Sequence, residues 1–333
     1  MPFLIVGIAV IGLLGVAFGF LRWSFRKAFY MPDAKKKTDP RHFFGEARDD
    51  FCKAPMLELV DELDARSYER VTVRSRDGLT LVGRLYEETG SDVVHIIFHG
   101  WRGNALRDGC GGSCLARDAG HSILLVDQRA HGESDGNVIT FGIKEKYDCL
   151  DWVNFARERF GSDIKILLVG VSMGAATVLM ASDLDLPANV KGIAADCGYS
   201  SPEAIVRKVC RDMGIPDRVG YPFVRVSARL FGGFSMKDGG AVEAVKHARV
   251  PILLIHGEED GFVPFSMCRE IYDACASEKY LLTVPHAGHG LSFLVDGDRY
   301  KKKILDFFAA YDVMPAPAEK PRKCLFGKRK ADA

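Results

Sequence analysis

Leu167 to Thr177 reads LLVGVSMGAAT: three apolar residues and a glycine, a serine between Val171 and Met173, then glycine and a run of small side chains. The apolar run is the length of a strand buried on both faces, and the small residues after it suit the start of a helix packed closely on that strand. Gly170 and Gly174 flank Ser172 at positions i−2 and i+2, where they relieve crowding in a sharp strand-to-helix turn. Two readings stand at this point. Either the turn is purely structural, or it presents Ser172 as a nucleophile; Gly-x-Ser-x-Gly alone does not decide between them.

Working outward, similar apolar runs recur at Val93–Phe98, Ser122–Val126, Val190–Ala195, Val250–Ile255 and Tyr280–Val284, separated by segments of helical length. They come after YERVTVRSRDGLTLVGRLYEE (68–88), two alternating segments joined at Asp77-Gly78, a strong hairpin signal. An antiparallel start succeeded by strand–helix alternation predicts an α/β chain with a mostly parallel sheet. Its ligands are expected beyond the carboxyl ends of the strands. Each run leads into a polar, distinctive segment: HGWRGN, DQRAHGESDG, GVSMG, DCGYS, HGEEDGFVP and PHAGHG.

A serine hydroxyl needs a histidine to take its proton, and that histidine needs a carboxylate to fix its tautomer and stabilise the imidazolium. Ser172, Asp260 and His289 occur in the order nucleophile, acid, histidine, each just after an expected strand. Glu259 and Asp196 compete with Asp260, and His286 competes with His289. His99 and His131 sit beside glycines in turns and read as structural; His95, inside an apolar run, reads as a core histidine. Asp127 suits a role in tying down the RAHGES turn.

These motifs together resemble the α/β-hydrolases over roughly Ser67 to Tyr311. GVSMG is similar to the nucleophile elbow, HGEEDGFVP to the acid-bearing loop and AGHG to the histidine loop. FHGWRGN and DQRAHGESDG resemble the branch holding membrane-anchored esterases and serine aminopeptidases of proline iminopeptidase or prolyl-oligopeptidase type. The resemblance implies an oxyanion hole from the backbone N–H groups of Met173 and Trp101. It also implies a small helical cap at about 199–247, whose Tyr199, Tyr221, Phe223, Phe231 and Phe234 are candidates for an apolar acyl pocket; the same aromatics suit packing of the cap onto the sheet. Arg207, Arg211 and Arg225 in the cap suit either a substrate carboxylate or a solvated helix face.

Pro2 to Leu21 carries no charged side chain, and about 20 helical residues at about 1.5 Å each span a hydrocarbon core of about 30 Å. A transmembrane anchor is expected. A cleaved signal peptide is the competing reading, but no basic residue precedes the run and no small-x-small site comes after it. Arg22, Arg26 and Lys27 lie directly beyond the run, so the positive-inside rule puts the remaining chain in the cytoplasm. Gly15-x-x-x-Gly19 suggests weak homodimerisation through this helix.

Of the 333 residues 47% are hydrophobic, enough for a full core, and 45 basic against 44 acidic residues give no global field for nucleic acid. Nine cysteines without a Cys-x-x-Cys pair fit a reducing compartment. Cys110 and Cys114 share a helical spacing but have no partners at zinc-site distance, so they read as packing residues. Neither metal nor organic cofactor is expected.

The expected organisation is an anchor over 1–30, a linker with partial helix over 31–66, the hydrolase domain over 67–313, and a basic tail over 314–333. The tail's Lys320–Lys330 stretch suits solvated disorder, or contact with anionic lipid. The expected activity is hydrolysis of an ester, thioester or amide through an acyl-enzyme on a small-molecule or short-peptide substrate, most like a carboxylesterase. A peptidase on short peptides and a catalytically silent, membrane-tethered interaction protein are the alternatives.

Overall fold

The computed structural model describes residues 2–33, 36, 38–311 and 313; the expected tail over 314–333 lies outside the described residues. In chain order the helices and strands are α1 (Pro2–Ala28), α2 (Lys53–Asp64), β1 (Glu69–Arg74), β2 (Thr80–Tyr86), β3 (Val93–Phe98), α3 (Ala105–Asp118), β4 (Ser122–Asp127) and α4 (Glu145–Phe160). Next come β5 (Lys165–Val171), α5 (Met173–Ala181), β6 (Val190–Asp196), α6 (Pro202–Asp212), α7 (Asp217–Ser227) and α8 (Ala241–Val245). The chain continues with β7 (Ile252–Gly257), α9 (Phe265–Ala274), β8 (Lys279–Val284), α10 (Ser292–Val295) and α11 (Gly297–Ala310).

One eight-stranded sheet has the order β1-β2-β4-β3-β5-β6-β7-β8. The β1–β2 and β2–β4 pairs are antiparallel and every other pair is parallel. The Asp77-Gly78 turn closes the first hairpin, with Gly78 at φ +88°. Successive side chains of a strand point to opposite faces, so Ile96 and Leu168 enter one core with Trp152 and Val178. Ile97, Leu167 and Val169 enter the other, with α3 and α11. Continuous apolar runs are what a sheet covered on both faces requires.

Two segments differ from the sequence expectation. The composition of 31–66 suggests a linker with partial helix; α2 is that helix, but it is no linker, since it buries Met56, Leu59, Val60 and Leu63 in the same core as α3, and a 3-10 turn (Ala47–Cys52) leads into it. The apolar i, i+3, i+4, i+7 spacing of those four residues supplies the buried stripe. Meanwhile α1 does not end at the domain surface: Phe25 and Phe29 are buried, and Tyr30 forms an isolated bridge with Val138. Its earlier residues, including Leu4, Ile11, Leu14 and Val16, are exposed. The stretch Phe3–Ala28 is 26 residues long with a mean hydropathy of 2.7 in its most apolar window, enough to cross a bilayer.

Between β6 and β7 the insertion is helical, made of α6, α7, a π-helical turn (Ala228–Gly232) and α8. It rests on α1. Edge-to-face ring pairs join Phe18 to Phe231 at 5.7 Å, Phe20 to Phe223 at 4.9 Å and Phe29 to Phe234 at 5.2 Å.

Candidate active site

Ser172 sits between β5 and α5 with φ +57° and ψ −115°, a sparsely populated conformation for a side chain with Cβ. The neighbouring glycines make that turn sterically feasible. A Cβ on Gly170 would lie 2.3 Å from the Gly174 carbonyl oxygen, and one on Gly174 would lie 2.0 Å from the Phe98 oxygen. The Ser172 N–H donates to the Asp196 carbonyl at 2.8 Å, fixing the turn to the end of β6.

His289 reaches this serine from the loop after β8. Its Nε2 is 2.9 Å from Ser172 Oγ, and its Nδ1 is 2.7 Å from Asp260 Oδ2. A carboxylate only accepts, so Nδ1 carries the proton and Nε2 accepts from the Ser172 hydroxyl. Asp260, after β7, has its other oxygen held by the N–H groups of Phe262 and Val263 at 2.9 and 2.8 Å. The side chain of Asp260 is fully buried, whereas that of His289 keeps 27% exposure on the cavity side.

The competing residues lie elsewhere. Glu259 and His286 pair with each other at 2.7 Å on the surface, and Glu259 also binds Arg48. Asp196 lies beneath the site, where Ser292 Oγ donates to it at 3.0 Å and burial pushes its carboxyl up to about 6. His95 pairs with His121 inside the core at 2.9 Å. Asp127 Oδ2 accepts from the Glu133 N–H at 2.9 Å, holding the turn around Gly132.

The loop after β3 approaches Ser172 from the other side. A Cβ on Gly100 would lie 3.3 Å from Ser172 Cβ. Its N–H donates to Asp108 Oδ2 at 2.9 Å, the N–H of Arg102 donates to His131 Nε2 at 2.9 Å, and Gln128 donates to the His99 carbonyl. Among the described residues the backbone N–H groups of Trp101 and Met173 have no protein acceptor. Met173 directly follows the serine, and Trp101 lines the same cavity.

A cavity of about 600 Å³ opens at Ser172 and His289, within the roughly 300–1,000 Å³ usual for small-molecule sites. It runs between the sheet, α3 and α10, with Ile97, Val169, Gly112, Phe293 and Leu294 in its wall. Trp101, Phe43 and Phe44 also line it.

The five cap aromatics are absent from that lining, which corrects the expected acyl pocket. Tyr199, Tyr221 and Phe234 are buried in the cluster that joins the cap to α1, with Phe231 packed against it; Phe223 meets Phe20 edge-on. Phe223 and Phe231 pack on rings of the N-terminal helix, Phe234 on Phe29 just beyond it, and Tyr199 on Phe141. Arg207 pairs with Glu203 and Asp217, and Arg211 with Asp217, so these two serve the cap itself.

Two residues of HGEEDGFVP contribute although the motif reading assigns them no role. His256, fully buried, lies 3.5 Å from Asp260 Oδ2 and meets the Val263 carbonyl at 2.8 Å; burial lowers its basicity, so its neutral Nε2–H supports the acid loop. Phe262 covers His289 edge-on at 5.1 Å. The one cue to it in HGEEDGFVP is an apolar ring in an otherwise polar loop. Cys197, Asp260 and His289 bring one potential metal ligand each within 4.8 Å of one another. Burial pushes the Cys197 thiol well up, so it stays protonated and makes a poor ligand beside two groups already bonded to each other.

A sequence model of the alpha/beta hydrolase fold matches residues 96–219. The uncharacterized protein YqkD of Bacillus subtilis is 25% identical over 194 residues, 58% of this chain and 64% of that protein, so the match spans just under two thirds of its length. An uncharacterized membrane protein of Saccharomyces cerevisiae is 25% identical over 74% of this chain and 82% of that protein. Among solved structures, an esterase of Pyrococcus furiosus superposes with a TM-score of 0.60 at 21% identity, covering 82% of this chain and 97% of the esterase. That likeness concerns the fold.

Proposed function

The chain is an α/β-hydrolase in fold, and from that premise we propose that it is a membrane-anchored serine hydrolase acting on carboxylic esters or thioesters. The observation that carries the reading is the single imidazole bridging Ser172 Oγ and Asp260 Oδ2 at 2.9 and 2.7 Å. In the reaction, Ser172 Oγ attacks the acyl carbon while His289 Nε2 takes its proton, and the ionised Asp260 stabilises the resulting imidazolium. The N–H groups of Met173 and Trp101 receive the oxyanion. His289 then protonates the leaving alcohol or thiol, and water, deprotonated by the same nitrogen, releases the acid and restores Ser172.

An aminopeptidase needs a free acidic group in the pocket for the substrate ammonium. The two acids in the lining are already engaged: Asp108 with the Gly100 N–H and Arg107, Asp196 with Ser292. Esters therefore fit better than short peptides.

The anchor in this reading is α1, and Arg22, Arg26 and Lys27 at its domain end put the hydrolase on the cytoplasmic side. Labelling with a fluorophosphonate tests the core of the reading. Covalent attachment lost in Ser172→Ala supports it, and folded wild-type protein that takes no label refutes it, leaving the silent interaction protein.

A further inference from the structure

No residue of the cap lines the cavity at Ser172, and much of its wall is apolar. Beyond Ser172 the lining includes Ile97, Val169, Leu291, Phe293 and Leu294, with Met56 from α2. Each of these side chains belongs to the sheet face or to a segment packed on it, so the space is preformed. The helix that roofs it, α3, contains Gly109, Gly111 and Gly112 within four residues. Interior helical glycine costs about 1 kcal/mol relative to alanine, so three of them need a reason, and their surroundings supply it.

A Cβ on Gly109 would lie 2.8 Å from Leu125 Cδ2, and one on Gly111 2.7 Å from Phe293 Cδ1; these two let α3 approach the sheet and α10. Gly111 and Gly112 both line the cavity, but Gly112 faces the strands and has the more open surroundings. Its Cβ would meet Ile97 Cδ1 at 3.3 Å and Val169 Cγ1 at 3.7 Å, both cavity-lining side chains, and Gly112 itself lines the cavity. A Cβ there needs Ile97 to give by a few tenths of an ångström, and a larger side chain takes volume from the cavity that Gly112 lines.

We infer that this cavity is the acyl-chain site, that it takes an unbranched fatty acyl group of medium to long length, and that Gly112 keeps it open. The inference rests on the serine hydrolase reading and deepens it. An extended chain esterified at Ser172 has an apolar path beneath α3, bounded by Ile97 and Val169 below and Phe293 and Leu294 at the side. The charged side chains that share the lining are already engaged, Arg107 with Asp108, Asp108 also with the Gly100 N–H, and Asp196 with Ser292, which leaves the apolar wall to the acyl group. The exposed apolar length of α1 places the same domain beside a bilayer, the source of such chains.

The test uses the full-length protein in detergent micelles with p-nitrophenyl butyrate, octanoate and laurate, after fluorophosphonate labelling has established that Ser172 reacts. The wild type is expected to show kcat/KM rising about two- to fourfold per added methylene from butyrate to octanoate, with the laurate ester still preferred over butyrate. Gly112→Val is expected to lower the laurate-to-butyrate ratio at least about tenfold, with Gly112→Ala intermediate, whereas Phe223→Ala in the cap keeps the wild-type ratio.

A labelled wild type whose kcat/KM is flat or falls beyond butyrate overturns the acyl site and leaves the hydrolase reading intact. So does a ratio that shifts with Phe223→Ala as much as with Gly112→Val. Absence of labelling overturns both. Because the wild-type series stands alone, a Gly112→Val protein that fails to fold does not rescue the inference.

Discussion

The indole Nε1 of Trp101 donates to the main-chain carbonyl of Ala28 at 3.1 Å, joining the loop beside Ser172 to the last turn of α1. Arg102 adds to the joint, its Nη2 donating to the carbonyls of Arg26, Lys27 and Tyr30 at 3.3, 3.1 and 3.1 Å. Carbonyls at a helix C-terminus lack partners inside the helix, and a guanidinium satisfies them with favourable charge. The apolar N-terminal helix is thereby connected to the loop from which Trp101 is proposed to supply an oxyanion donor.

Loosening that joint is predicted to reduce turnover before it affects binding. Removing a whole oxyanion donor costs about 100- to 1,000-fold in kcat, so Arg102→Ala, which only frees the loop, is expected to cost about tenfold with KM little changed. Steady-state kinetics on a soluble ester check this; a change confined to KM contradicts it.

The two histidines of PHAGHG are predicted to separate cleanly. His286→Ala removes a surface contact to Glu259 and is expected to leave kcat within about twofold, since exposed ion pairs contribute little. His289→Ala is expected to lower kcat by at least about 1,000-fold, and Asp260→Asn by about 10⁴-fold through the wrong imidazole tautomer. Comparable losses for His286→Ala and His289→Ala would refute the assignment.

Ser172 is held at φ +57°, and that strain is predicted to be measurable. Ser172→Gly relieves it and is expected to melt higher than Ser172→Ala, by the equivalent of about 1 kcal/mol, with both variants inactive. Equal or reversed melting temperatures in the same detergent argue against stored strain at the turn.

Asp196 is predicted to make stability fall with rising pH. Burial raises its carboxyl from 3.8 to about 6, so between those values the folded protein holds a proton that the unfolded chain has lost. Stability from this group is full below about 4 and declines as pH rises to about 6, a total of about 3 kcal/mol for a shift of about two pKa units. Asp196→Asn is expected to lose that decline. Melting curves from pH 4 to 7.5 for both proteins decide it, and parallel profiles would contradict the prediction.

Much of this site is legible in the sequence. The buried runs and the Asp77-Gly78 hairpin state the sheet, because a strand covered on both faces must be apolar throughout and this tight turn needs one residue, Gly78, at positive φ. The residues after each run then offer Ser172, Asp260 and His289 as candidates, since parallel strands bring their carboxyl ends to one edge. Local sequence also explains Gly170 and Gly174, whose absent side chains leave room for backbone contacts within the same turn and with β3.

Three things only the tertiary structure decided. Glu259 and Asp260 are adjacent in sequence, and a surface pairing with His286 against a buried one with His289 distinguishes them only after the two loops meet. Residues 53–64 read as the helical part of a linker, and only the tertiary structure shows α3 supplying the face that buries Met56 and Leu59. The cap aromatics suit a pocket as well as a packing surface, and the choice fell to packing: α1, far earlier in the chain, meets Phe223 and Phe231, and the cavity is left to α3 and α10. Hydrophobicity specifies that a side chain seeks burial, and the partner that buries it is set by the path of the whole chain.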